Sequence, residues 1–105
     1  MARVKVLVVD DEVPFVEAMS KRLAKRDLDV VTAFDGQEAL AKLAQDPGID
    51  IVILDVKMPG MSGLETLKLM KQAHPLVEVI MLTGHATVAS AIDGLKLGAF
   101  DYLMK

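Results

Sequence analysis

The chain has 105 residues, of which 52% are hydrophobic and 4% aromatic, with a formal net charge of −3 at pH 7 and no Cys. That size suits one domain around an aliphatic core, and the lack of Cys excludes a disulfide scaffold, a thiolate metal site and a Cys nucleophile. The mild negative charge gives no electrostatic reason for direct nucleic-acid binding, and no apolar stretch approaches the roughly 20 residues that span a bilayer.

Arg3 and Lys5 open the chain ahead of a strand-length apolar run that ends in two acids, which is not a signal-peptide pattern. The expectation is a cytoplasmic domain without membrane contact. Residues 4–9 are nearly unbroken in Val and Leu, as in a central strand buried on both faces. Pro14 suits the first turn of a helix, and Phe15, Ala18, Met19 and Leu23 predict its buried stripe. Residues 29–34 form a less apolar second strand, nearer an edge, and Asp35-Gly36 is a turn. Ala39, Leu40, Leu43 and Ala44 mark a second helix, closed by Pro47-Gly48.

Residues 49–54 read as a third, fully buried strand, followed by the turn-rich loop Met58-Pro59-Gly60-Met61-Ser62-Gly63. Leu64, Leu67 and Met70 carry a third helix that stops at His74-Pro75, and residues 77–82 give a fourth strand. Thr83 or Thr87 is placed to cap a fourth helix whose apolar positions are Val88, Ala91, Ile92 and Leu95, with Gly98 near its end. Gly94 in that helix serves close packing or, as a second hypothesis, loosens the helix so that it can shift. Residues 99–104 make a short fifth strand. Strict alternation of strand and helix predicts an α/β fold, a doubly wound parallel sheet with right-handed crossovers. Five strands with four helices leave one face short of cover. A lost helix face of roughly 400 Å² forfeits about 10 kcal/mol, so a fifth helix is expected after Lys105, making residues 1–105 a C-terminally incomplete domain. A partner or an exchanged segment is the other expected cover for that face.

Polar residues punctuate these runs. Asp10 and Asp11 end the first strand, Asp55 the third, Thr83 the fourth and Lys105 the fifth. Each alone has a plain reading: an acidic pair favours a helix N-terminus, a single Asp ends a turn, and a terminal Lys is solvated. Together they differ, because the carboxyl ends of parallel strands share one edge, where ligands bind in open α/β sheets. Clustered carboxylates demand a counter-charge, and Mg²⁺ takes one or two carboxylates while bridging to phosphate oxygen. Lys105 can hold phosphate as a point charge, Thr83 can donate to it, and a carboxylate there can attack phosphorus. His74 and His85 show no zinc spacing. His85 is placed beside the site, and no G-x-x-x-x-G-K-[ST] loop signals an NTPase.

Asp-Asp-Glu at 10–12, Ile-Leu-Asp-Val-Lys-Met-Pro-Gly-Met-Ser-Gly at 53–63, Leu-Thr-Gly-His at 82–85 and Tyr-Leu-Met-Lys at 102–105 resemble the receiver domain of two-component response regulators. The likeness runs the whole length of the chain. It implies a flavodoxin-like five-stranded sheet in order 2-1-3-4-5. It implies Asp55 as phosphoacceptor from a sensor histidine kinase, and Mg²⁺ held by Asp10, Asp11, Asp55 and the backbone carbonyl of Lys57. Thr83 and Tyr102 would be the switch pair, with Lys105 on the phosphoryl oxygens. The domain would be no turnover enzyme but a phosphoacceptor that assists its own phosphorylation and dephosphorylation. Its readout would be an output domain or downstream protein in transcriptional regulation, with a homodimer among the assemblies the resemblance allows. The segments near Thr83 and residues 94–105 look most like receivers that precede AAA+ transcriptional activator modules. The chain departs from the family by ending at the Lys, without the usual Pro and last helix. Two alternatives stand beside this reading: a phosphatase with an Asp nucleophile, which would carry Asp-x-Asp and a cap domain, and a receiver-like binding module that is never phosphorylated.

Overall fold

The computed structural model describes residues 3–105. Five strands, β1 (Lys5–Val9), β2 (Asp29–Ala33), β3 (Ile51–Asp55), β4 (Glu78–Thr83) and β5 (Asp101–Met104), form one sheet in the order β2-β1-β3-β4-β5. Every neighbouring pair is parallel. Parallel strands need crossovers, and four helices supply them among the described residues: α1 (Val13–Ala24), α2 (Gly36–Gln45), α3 (Gly63–Ala73) and α4 (Val88–Lys96). The apolar runs of β1 and β3 are unbroken because both strands are interior and covered on both faces.

Side chains alternate between two cores. Val6, Val8, Ile53 and Leu82 meet Val16 of α1 on one face. Leu7, Val9, Val52, Leu54, Val79 and Met81 meet Ala39, Leu43, Leu67, Met70 and Ala91 of α2–α4 on the other. The helix starts follow local chemistry: Asp35 caps α2 by accepting from Glu38 N at 2.7 Å, and Ser62 caps α3 by accepting from Glu65 N at 3.2 Å. α4 ends in a Schellman turn in which Ala99 N donates to Gly94 O at 2.9 Å and Gly98 N to Leu95 O at 3.3 Å. That turn needs the left-handed backbone of Gly98, with φ of 109°.

Several expectations are corrected. In α1 the fully buried residue is Val16, while Ala18 is exposed. Ala44 of α2 is also exposed, because small side chains at the edge of a stripe are cheap to leave in water. In α4, Ile92 and Leu95 point outward and the buried positions are Ala91 and Gly94. A Cβ on Gly94 would stand 3.1 Å from Met81 Cγ and 3.5 Å from a methyl of both Leu64 and Leu67. Gly94 therefore serves close helix–sheet packing. Ile49 and Ala99, expected to open the third and fifth strands, are buried but lie just ahead of the observed strands, which start at Ile51 and Asp101. Leu103 on β5 is 47% exposed, so the α1 face of the sheet is covered unevenly towards that edge.

Candidate phosphoryl and metal site

Strand register assembles the site. Val9 pairs with Leu54 and Thr83 with Met104, so the next residues along the chain, Asp10, Asp55 and Lys105, emerge at one edge. Lys105 N donates to Thr83 O at 2.8 Å and Asp10 N to Ala33 O at 3.2 Å, extending both ladders to the rim. Carboxylate oxygens of Asp10, Asp11 and Asp55 all lie within 4.8 Å of one another. Asp10 and Thr83 are fully buried, Asp55 is 6% exposed, and Asp11 is open to solvent.

Lys105 Nζ is the hub of the charges. It lies 2.7 Å from Asp10 Oδ2, 2.6 Å from Glu12 Oε1 and 3.6 Å from Asp55 Oδ2, and 4.9 Å above the Phe15 ring. Burial works against its charged form, but the carboxylates around it more than offset that and raise its pKa above the ordinary lysine value. The Asp55 carboxyl is pushed up to about 6, first by burial and then by the charge of Asp10, with Lys105 and the Lys57 backbone amide pulling the other way. Asp10 Oδ1 accepts from Glu12 N at 3.0 Å. Asp10 Oδ2, although in ionic contact with Lys105, has no well-directed hydrogen bond.

The donor set fits a hard divalent cation. Four carboxylates, Asp10, Asp11, Glu12 and Asp55, against one ammonium leave an excess of acidic groups, and a buried carboxylate oxygen without a directed hydrogen bond is an available ligand. Oxygen donors with one side open to solvent, at Asp11, suit a cation such as Mg²⁺ that keeps part of its hydration shell. The hollow beside these groups, about 230 Å³, is lined by Glu12, Asp55, Lys57, Gly84, Ala86, Thr87 and Lys105. A separate cleft of about 270 Å³ at the opposite edge is lined mainly by apolar residues such as Leu43, Ile49 and Val77. Its one carboxylate, Asp46, is already held by Lys5 at 2.8 Å, so the chemistry belongs to the carboxylate edge.

The sequence profile of the response regulator receiver domain matches residues 6–105. The chain belongs to the response regulator receiver family. Its likenesses within that family include the DNA-binding transcriptional regulator NtrC of Salmonella typhimurium, 41% identical over all 105 residues of this chain but only 22% of that protein. The transcriptional regulatory protein CpxR of Escherichia coli is 41% identical over 96% of this chain and 42% of its own length. The chain thus spans well under half of these curated relatives. Among solved structures, a response regulator receiver domain protein from Clostridium thermocellum superposes with a TM-score of 0.93 at 39% identity, covering 97% of this chain and 82% of that one. The receiver domain of NtrX from Brucella abortus gives 0.90 at 33% identity, over 95% and 84%. As a receiver, the chain is a signalling domain whose family works as a phosphorylation switch, and the expected strand order is the one found.

Of the receiver residues expected from sequence, Asp10, Asp11, Asp55 and Lys105 come together directly. Thr83 sits at the end of β4 with its hydroxyl bonded to Gly84 O and Thr87, and Lys57 borders the hollow. Tyr102 packs half-buried against the α2–α4 core, one strand from Met81. His85 is exposed and does not border the hollow, because the 3-10 turn at His85–Thr87 swings it outward. Sequence reasoning gave no role to Glu12, Phe15 or Thr87 in the site. Glu12 sits in a quoted motif, but its contact with Lys105 spans 93 positions and has no local signal.

Proposed function

We propose that this receiver accepts a phosphoryl group on Asp55 and converts it into a change at the α4–β5 face. The observation that carries this reading is the convergence of three carboxylates and the Lys105 ammonium at one sheet edge, with Asp55 buried yet bordering an open hollow. A Asp55 carboxylate oxygen attacks phosphorus of a phosphohistidine on a sensor kinase. The new bond is an acyl phosphate O–P bond, and the P–N bond breaks with its electron pair returning to the imidazole. Mg²⁺ held by Asp10, Asp11, Asp55 and the Lys57 carbonyl would neutralise the phosphoryl oxygens and draw phosphate and carboxylate together.

Asp10 and Asp11 supply charge for the cation and take no covalent part. Lys105 leaves Glu12 to pair with a phosphoryl oxygen, and Thr83 donates its hydroxyl proton to another. The arriving charge of about −1.5 to −2 thereby moves β4 and β5 ends, and Tyr102 follows. A downstream module or partner selects the altered face by population shift. In this reading the domain is no turnover enzyme for a free metabolite but assists its own phosphorylation and hydrolysis, in the cytoplasm. Its partners are a sensor histidine kinase and a transcriptional output, with a homodimer as a further assembly.

Tyr102 is the chain's single Tyr, and there is no Trp, so intrinsic tyrosine fluorescence reports one site. Adding beryllofluoride, a phosphoryl mimic, with Mg²⁺ is expected to change Tyr102 emission in wild type and leave Asp55→Asn unchanged. An unaltered signal in folded wild type would favour the binding module that is never phosphorylated.

A further inference from the structure

Thr87 occupies the N-cap position of α4, yet its side chain makes no capping hydrogen bond. Its hydroxyl is turned towards Thr83 instead, with the two oxygens 2.5 Å apart. Both side chains also reach Gly84 O, Thr83 at 3.0 Å and Thr87 at 3.3 Å. That carbonyl already accepts from Thr87 N at 3.1 Å, so one lone pair remains for two hydroxyls. One hydroxyl donates to Gly84 O and the other to its neighbour. In either arrangement the single proton of Thr83 is spent inside this trio. The arrangement also shows in the exposed surface: Thr87 borders the hollow beside Asp55 and Lys105, whereas Thr83 is fully buried.

We propose that Thr87 is a positioning residue, a hydroxyl latch that holds Thr83 off the phosphoacceptor and, when Thr83 leaves, turns to cap α4. The inference rests on the phosphoacceptor reading above and adds a route from the site to a helix. Thr83 cannot donate to a phosphoryl oxygen without breaking its bond within the trio, so the trio opposes capture. Once released, the Thr87 oxygen is free to accept from the Ser90 amide, the third residue of α4, as Thr does at N-caps. Capture of phosphate by Thr83 would then order the first turn of α4 without any contact between phosphate and helix.

The test is a beryllofluoride titration at fixed Mg²⁺, followed through Tyr102 fluorescence, on Thr87→Val and Thr87→Ser. In Thr87→Val the Thr83 hydroxyl keeps Gly84 O as its acceptor, so what that variant lacks on capture is the α4 cap, and its half-saturating concentration should rise about two- to tenfold, while Thr87→Ser, which keeps the hydroxyl, matches wild type. In a Thr83→Ala background the Val change should have no effect. Amide exchange gives the second readout: the complex should slow exchange at Ser90 in wild type and Thr87→Ser but not in Thr87→Val. Thermal unfolding of each variant is read first, and Thr87→Ala replaces Thr87→Val if the latter is unfolded. Equal half-saturation in wild type and Thr87→Val, or an effect that persists in Thr83→Ala, overturns the latch while leaving the phosphoacceptor intact. A folded wild type that forms no complex overturns the phosphoacceptor reading, and the latch with it.

Discussion

Gly63→Ala should destabilise the chain by about 3 kcal/mol, although Ala is the better helix former at the start of α3. A Cβ on Gly63 would stand 2.8 Å from both the Cα and the carbonyl oxygen of Val56, and closer still to the carbonyl oxygen of Asp55. All three are backbone atoms, so no side chain can rotate away. Gly63 N also donates to Val56 O at 2.9 Å, which fixes that approach. The propensity gain of about 1 kcal/mol is outweighed by the shift forced on the turn that carries Asp55. Urea denaturation checks the size. Gly60→Ala is the control: its φ of 75° carries a conformational cost, but nothing lies within 4 Å of the added methyl, so about 1 kcal/mol is expected there. A Gly63→Ala protein as stable as wild type would mean that the β3–α3 turn yields easily.

Asp55→Asn should stabilise the metal-free protein at neutral pH by up to about 3 kcal/mol, the linkage equivalent of a carboxyl moved from 3.8 to about 6. The sign follows from the direction of the shift. The folded state holds the Asp55 proton more tightly than the unfolded chain. Below pH 3.8 both states are protonated and the charge costs nothing. Between about pH 4 and 6 the unfolded chain ionises first, so the wild type loses stability as pH rises, and above 6 the full penalty applies. Asn carries no such charge. Stability curves of the two proteins should therefore converge near pH 4 and separate towards pH 7. Saturating Mg²⁺ should narrow the gap, since it binds the folded wild type more tightly than the variant. Parallel curves from pH 4 to 7 would show that Asp55 is not strained by its surroundings.

The sequence carried the strands better than the helices. Interior strands of a parallel sheet are covered on both faces, so residues 4–9 and 49–54 stood out as apolar runs with an acid at the end. Because those ends share an edge, Asp10, Asp55, Thr83 and Lys105 could be placed in one site before any coordinates. The strand order itself came from family resemblance, since apolar runs do not say which neighbour they pair with. Helix faces were blurred by small residues: Ala18 and Ala44 fit the period yet lie in water, while Gly94, with no side chain to score, is a buried contact. The finer site contacts were out of reach. Lys105 meets Glu12 across 93 positions, and Thr87 carried a cap signal whose hydroxyl the fold spends on Thr83.

Intact mass after incubation with acetyl phosphate and Mg²⁺ tests the central claim most directly. Wild type should gain a single phosphoryl mass that disappears in Asp55→Asn, is absent when the cation is chelated, and decays with time as an acyl phosphate does. A folded wild type that gains no mass, or an Asp55→Asn protein that still gains it, would contradict the assignment of Asp55 as the phosphoacceptor.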